Sequence, residues 1–238
     1  MGEEGRGKDC VRILSMVETP FLILASNSPR RKSLLKLTGW DFKVLPADVD
    51  ETLMKGEEPG DYVVRLAEKK AGVIALLNDA GGIILAADTT VVDQGVILGK
   101  PADGREAAEM LKALRGHAHQ VFTGLALCRS ESDDLVKDLC ITNVPMRRYT
   151  DEEVQRYIES GDSLDKAGAY AIQHPDFHPV EDLQGCYASV MGLPLCHLER
   201  SMRKLGVTPQ VEIAAGCQSA LEYKCPIWQS VLNNEPHG

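Results

Sequence analysis

Apolar positions along the chain fall into short runs divided by polar loops, and their spacing switches between the periods of strand and helix. Phe21 to Ala25 is an apolar run suited to a buried strand, and it passes through Ser26-Asn27-Ser28 to Pro29, a residue favoured at a helix's first position. A strand, a tight loop and a helix are predicted there. The helix carries Leu34, Leu35 and Leu37 and stops at Gly39, after which Phe42 to Leu45 alternates like a second strand. An acidic loop with Asp48, Asp50 and Glu51 follows. Asp61 is placed to cap the next helix, whose apolar stripe Val63, Leu66, Ala67 and Ile74 also takes in Lys70. Gly81-Gly82 opens another buried strand, Ile83 to Ala87, which ends in Asp88-Thr89-Thr90 and is followed by a hairpin through Asp93-Gln94-Gly95. Arg105 to Leu114 reads as a helix closed by Gly116, and His117 to Cys128 as a long strand. Thr150 with Glu153 forms a capping box for a helix to about Ser160, and a final helix starts at Pro194 and ends at Gly206.

Strands interleaved with helices give an α/β fold, and the hairpins make its sheet mixed. No internal repeat, low-complexity tract or linker divides the chain, so one domain is expected, with a cleft between two lobes. Residues 1–19 are polar, hold three glycines and show no period, which predicts a disordered leader. With 238 residues, 44% of them hydrophobic, the chain can bury a sizeable core. A net charge of -9 argues against general binding to nucleic acid or a membrane surface, so any phosphate must be met by a local basic cluster. Seven cysteines without a C-x-x-C pair suit a reducing, cytoplasmic compartment. The run Phe21–Ala25 is too short for a signal peptide or a bilayer span, and Arg6 stands where a myristoylation motif needs Ser or Thr.

Ser26-Asn27-Ser28-Pro29-Arg30-Arg31-Lys32 puts arginines and free backbone N–H groups at a helix N-terminus, a natural anion site. The bland alternative is a solvated basic first turn, although charge there normally runs acidic. Asp88, at an apolar strand's end, either caps a turn or joins a carboxylate from the Asp48–Glu51 loop in a Mg²⁺ or Mn²⁺ site. Lys70 on the apolar stripe either snorkels to water or reaches into a cleft toward phosphate. Gly99-Lys100-Pro101 offers one more cation without P-loop spacing. His117-x-His119 puts two rings on one strand face with no third ligand nearby, so ordinary strand histidines are favoured over zinc. No G-x-S-x-G, H-E-x-x-H or G-x-G-x-x-G occurs.

Leu24-Ala25-Ser26-Asn27-Ser28-Pro29-Arg30-Arg31 resembles the signature L-A-S-x-S-P-R-R of the Maf family. Further motifs follow in that family's order: Asp50-Glu51, Arg65-Leu66-Ala67 with Lys70-Ala71, Ala87-Asp88-Thr89, Leu98-Gly99-Lys100-Pro101, Phe122-Thr123-Gly124, Leu164 to Tyr170, and Gly192-Leu193-Pro194. The resemblance covers residues 20–207 and leaves residues 208–238 as an extension without a counterpart. It implies an elongated mixed sheet flanked by helices around a central cleft, related in shape to the inosine-triphosphate pyrophosphatases and commonly a homodimer. It implies hydrolysis of a nucleoside triphosphate to the monophosphate and pyrophosphate, with Mg²⁺ or Mn²⁺. Carried over by position, Asp88 is the proton acceptor and, with Glu51, the metal site. Ser26, Arg30, Arg31, Lys70 and Lys100 bind phosphate. Thr89 and Gln173 match the branch acting on dTTP and UTP, with modified pyrimidine nucleotides within the same expectation. One departure stands out, because His174-Pro175-Asp176-Phe177-His178-Pro179-Val180 replaces a glycine-rich turn entering a strand. Two prolines cannot donate to a sheet ladder, so the strand there should start later or lie at an edge. A non-catalytic nucleotide-binding regulator of cell division and a phosphatase removing only the terminal phosphate are the competing expectations.

Overall fold

The computed structural model describes residues 21–78, 81–129, 132 and 134–235; the leader expected over 1–19 lies outside them. Strand β1 (Leu22–Leu24) is wholly buried and leads to helix α1 (Pro29–Lys36), with Pro29 in its first turn and the Ser28 side chain capping Arg31 N at 3.4 Å. Strand β2 (Phe42–Val44) and helix α2 (Pro59–Leu77) follow. The stripe Val63, Leu66, Ala67, Lys70 and Ile74 is buried as the helical period predicts. Asp61 is not the cap of α2: the helix begins two residues earlier with Glu58 at the cap position, and Asp61 lies in the first turn, where the helix dipole favours an acid.

Strand β3 (Ile83–Asp93) turns into β4 (Val96–Leu98), and helix α3 (Gly104–Leu114) leads to the long pair β5 (Ala118–Arg129) and β6 (Leu135–Pro145). Helix α4 (Asp151–Glu159) carries the predicted capping box of Thr150 and Glu153. Three shorter helices, α5 (Tyr187–Val190), α7 (Ile213–Ala220) and α8 (Trp228–Leu232), bracket α6 (Leu195–Lys204). Among the described residues the strands form one six-stranded sheet in the order β2-β1-β3-β5-β6, with β4 on the end of β3. The sheet is mixed, since β1 runs parallel to β2 and β3 while β3, β5 and β6 alternate. Successive β1 side chains face opposite layers. Leu22 and Leu24 pack with α1 and α6, whereas Ile23 packs with Ala67, Ala71 and Ile74 of α2. A second core gathers Leu111, Leu114, Tyr149, Tyr157, Tyr170 and Phe177 beneath the far end of β3.

One correction decides where the site lies. Asp88 is not at a strand end, because β3 continues to Asp93 and pairs Asp88, Thr89 and Thr90 with Gly124, Thr123 and Phe122 of β5. What ends there is β3's other neighbour. Along β3, β1 pairs only with Ile83–Leu85 and β4 only with Val91–Asp93. Between these two partners the edge of β3 at Asp88–Thr90 carries no strand among the described residues.

The extension, described to residue 235, packs on the body. Ile213 and Cys217 join the core against Leu195 and Met202, and Val231 and Trp228 pack on Cys196. Of the strand expected after the two prolines only a single bridge forms, Val180 to Met146. Among the described residues no helix is long and apolar enough to cross a membrane.

Candidate active site

The unpaired edge of β3 opens into a cavity of about 740 Å³. Its walls bring together all nine residues singled out in the sequence: Ser26, Arg30, Arg31, Glu51, Lys70, Asp88, Thr89, Lys100 and Gln173. At its floor the Lys70 ammonium lies 2.7 Å from Asp88 Oδ1 and 2.6 Å from Glu51 Oε1. Lys70 and Asp88 are each only 8% exposed, so Lys70 does not snorkel to solvent; its charge is matched inside. Burial is the largest influence on the Asp88 carboxyl and raises it above the ordinary carboxylate range, outweighing the nearby Lys70 and Arg31 charges. Burial also acts to raise Glu51, which is half in solvent, but the bond to Lys70 and the charges of Lys70, Lys100 and Arg31 together hold it below the usual value. One carboxyl of the pair is thereby made more basic than the other.

The loop that carries Glu51 is tied down from α2. Tyr62 OH donates to the Glu51 carbonyl at 2.9 Å, and Arg65 forks onto Glu57 at 2.5 and 2.7 Å while reaching the Thr52 carbonyl at 3.2 Å. Neither residue was given a role by sequence. Arg65 belongs to the Arg65-Leu66-Ala67 motif, but its contacts depend on how the loop folds back.

Across the cavity, the two arginines of the α1 turn do different things. Arg31 donates from Nε to the Gly192 carbonyl at 2.8 Å, from Nη1 to Ser26 Oγ at 3.3 Å and from Nη2 to Thr89 Oγ1 at 3.1 Å. Thr123 Oγ1 donates to the Ser189 carbonyl at 2.9 Å and lies 3.0 Å from Thr89 Oγ1. Since Thr123 has one proton and it goes to Ser189, Thr89 donates to Thr123 and accepts from Arg31. Thr89, expected to touch substrate, therefore has its proton engaged within the protein. Gly192 holds φ +103°, and a Cβ there would come within 3.2 Å of Arg31 Nε. Arg30 is looser, with only a 3.7 Å approach to Asp165. Lys100 and Gln173 stand exposed on the rim. Neither of the two strand histidines lines the cavity. His117 meets Asp93 at 2.8 Å, and His119, pushed down to about 4 by burial, meets Tyr170 OH at 2.8 Å. Among the described residues no three His, Cys, Asp or Glu side chains cluster as metal ligands.

A basic helix start facing a buried Lys70–Asp88 pair flanked by Glu51 follows the order of motifs along the chain, and residues 21–205 match the family described as Maf-like protein. The chain belongs to the Maf family. The dTTP/UTP pyrophosphatase of Geotalea uraniireducens (strain Rf4) is 45% identical over 185 residues, which are 78% of this chain and 95% of that one. That of Dehalococcoides mccartyi (strain ATCC BAA-2266 / KCTC 15142 / 195) is 43% identical over 192 residues, 81% of this chain and 85% of that one. Among solved structures, a nucleoside-triphosphatase / dITP/XTP pyrophosphatase from Mycobacterium abscessus aligns at TM-score 0.38 and 14% identity, covering 78% of this chain and 94% of that chain. The Maf match stops at residue 205, ahead of α7 and α8.

Proposed function

We propose that this protein is a nucleoside triphosphate pyrophosphatase that hydrolyses dTTP and UTP to the monophosphate and pyrophosphate. The observation that carries the proposal is Asp88, a carboxylate made basic by burial, in the same cavity as the cationic turn of α1. Asp88 takes a proton from water as the water oxygen bonds to the α-phosphorus; the bridging α–β oxygen bond breaks and its electrons leave with pyrophosphate. Arg30, Lys70 and Lys100 line the same cavity and would meet the negative charge that grows on the phosphate oxygens. Arg31 is already fixed by three bonds, so little reorganisation is needed there.

The donor set at the floor also fits a divalent metal. Two carboxylates converge on one point, which the Lys70 ammonium marks, and hard oxygen donors of this kind suit Mg²⁺ or Mn²⁺ with waters and phosphate completing the shell. Asp88 and Glu51 would hold the ion, and its chemistry there would be neutralisation of triphosphate charge. The same proposal makes the protein cytoplasmic, supported by six free cysteines among the described residues, and a homodimer, supported by the family resemblance.

Product analysis after incubation with dTTP and Mg²⁺ tests the reading directly. Pyrophosphate is expected; orthophosphate would show a terminal phosphatase, and no product a binding regulator. Among substrates, kcat/KM should favour dTTP and UTP over ATP, with the Gln173 amide reading the base edge through its donor and acceptor; equal values for ATP and UTP would remove base selection. Arg30→Ala should raise KM for UTP about 10-fold, the scale of one lost charge-assisted bond, because Arg30 is the less engaged of the two arginines. A large fall in Tm at unchanged KM would instead make Arg30 structural.

A further inference from the structure

Gln173 sits on the rim at the corner of a tight turn, and its side chain is exposed rather than packed. Whatever fixes it must act through the backbone. The turn runs from Ala171 to His174, closed by His174 N donating to Ala171 O at 3.3 Å. Ala171 N is itself bound to Tyr157 OH at 2.9 Å. The chain then turns a second time, and here the His174 Nδ1 accepts from Asp176 N at 3.3 Å and Phe177 N at 3.1 Å. Tyr157 joins both turns, since its ring meets His174 edge-on at 4.8 Å and stacks on Phe177 at 4.5 Å. Pro175 stiffens the junction by restricting the residue before it to extended backbone. A side-chain cap on a proline turn thus stands directly behind Gln173.

We propose that His174 is a positioning residue for base recognition: its imidazole, braced by Tyr157, locks the turn behind Gln173 and so holds the Gln173 amide against the pyrimidine. The inference rests on the pyrimidine-nucleotide reading above and adds a determinant within it. Substrates that lack a base should not sense His174. Acceptance by Nδ1 is the property that matters, and an Asn side chain offers an oxygen acceptor for the same two backbone N–H groups, whereas Ala offers none.

The test measures binding of two fragments, UMP and inorganic tripolyphosphate, alongside UTP turnover and Tm. His174→Ala should weaken UMP and raise KM for UTP by about 10-fold, the scale of two lost hydrogen bonds, while kcat and tripolyphosphate affinity stay within about 2-fold. His174→Asn should recover most of the UMP affinity. Should His174→Ala fail to fold, Tyr157→Phe, which removes only the hydroxyl that accepts from Ala171 N and donates to Asp162, should shift KM in the same direction with kcat kept. Equal weakening of UMP and tripolyphosphate, or an Asn variant no better than Ala, overturns the proposal. Fragment binding needs no turnover, so a parent protein that releases no pyrophosphate yet shows the His174 effect on UMP would sink the enzymatic reading alone.

Discussion

Asp88→Asn should lower kcat for dTTP by about 10²–10⁴-fold, the range for loss of a positioned general base. The substitution keeps the shape and one acceptor but removes the one buried carboxylate, among the described residues lining the cavity, whose proton affinity is raised. Stability should change little, because two effects oppose. Asp88's folded value lies above its unfolded one, so its contribution to stability is present only at low pH and ionisation at neutral pH works against the fold; Asn removes that cost. The same change leaves Lys70 with Glu51 as its remaining carboxylate. In the metal-free parent, Asp88 should take up its proton at a higher pH than an ordinary Asp would, and that titration should be missing from the Asn variant. Steady-state kinetics at saturating Mg²⁺ decide the matter. An Asn variant within a few-fold of the parent would move the base to Glu51.

Gly124→Ala should cost about 3 kcal/mol, the upper end of what overpacking does, or roughly 6–12 °C in Tm for a chain of this length. Gly124 faces α2 from the middle of β5, and a Cβ there would lie 2.7 Å from Val63 C, Val63 O and Val64 N. These are helix backbone atoms, so no side chain can swing aside. The helix must shift as a body, and Lys70 shifts with it, so UTP turnover should fall in the fraction that remains folded. A melting curve superimposable on the parent's would show that the sheet can relax around the methyl group.

Local signals were legible where one element carries them. The apolar run into Ser26–Arg31 needed only Pro29 and a helix start to place the cradle, and the stripe of α2 placed Lys70 inward without any knowledge of its partners. Asp88 was misplaced because hydrophobicity stops there while hydrogen bonding to β5 does not, and Thr89 and Thr90 continue the strand as β-branched residues. The links of Thr123, Ser189 and Gly192 to Arg31 depend on strand register and on a loop arriving from far along the chain, which no spacing encodes. Strand β6 leaves no clear period in the sequence because Lys137 and Asp138 interrupt its apolar pattern at a sheet edge. Helices α5 and α8 are only 4 and 5 residues long, too short for a period to show.

The bond from Arg31 to the Gly192 carbonyl spans 161 residues. During synthesis, the signature turn therefore leaves the ribosome early and waits, its guanidinium without its last fixed partner, until nearly all of the family-matched region has been made. A nascent chain that stops short of Ser189 also lacks the carbonyl that orders Thr123 and Thr89. Such a chain presents the basic turn without the distant carbonyls that fix its guanidinium and order its threonine partners.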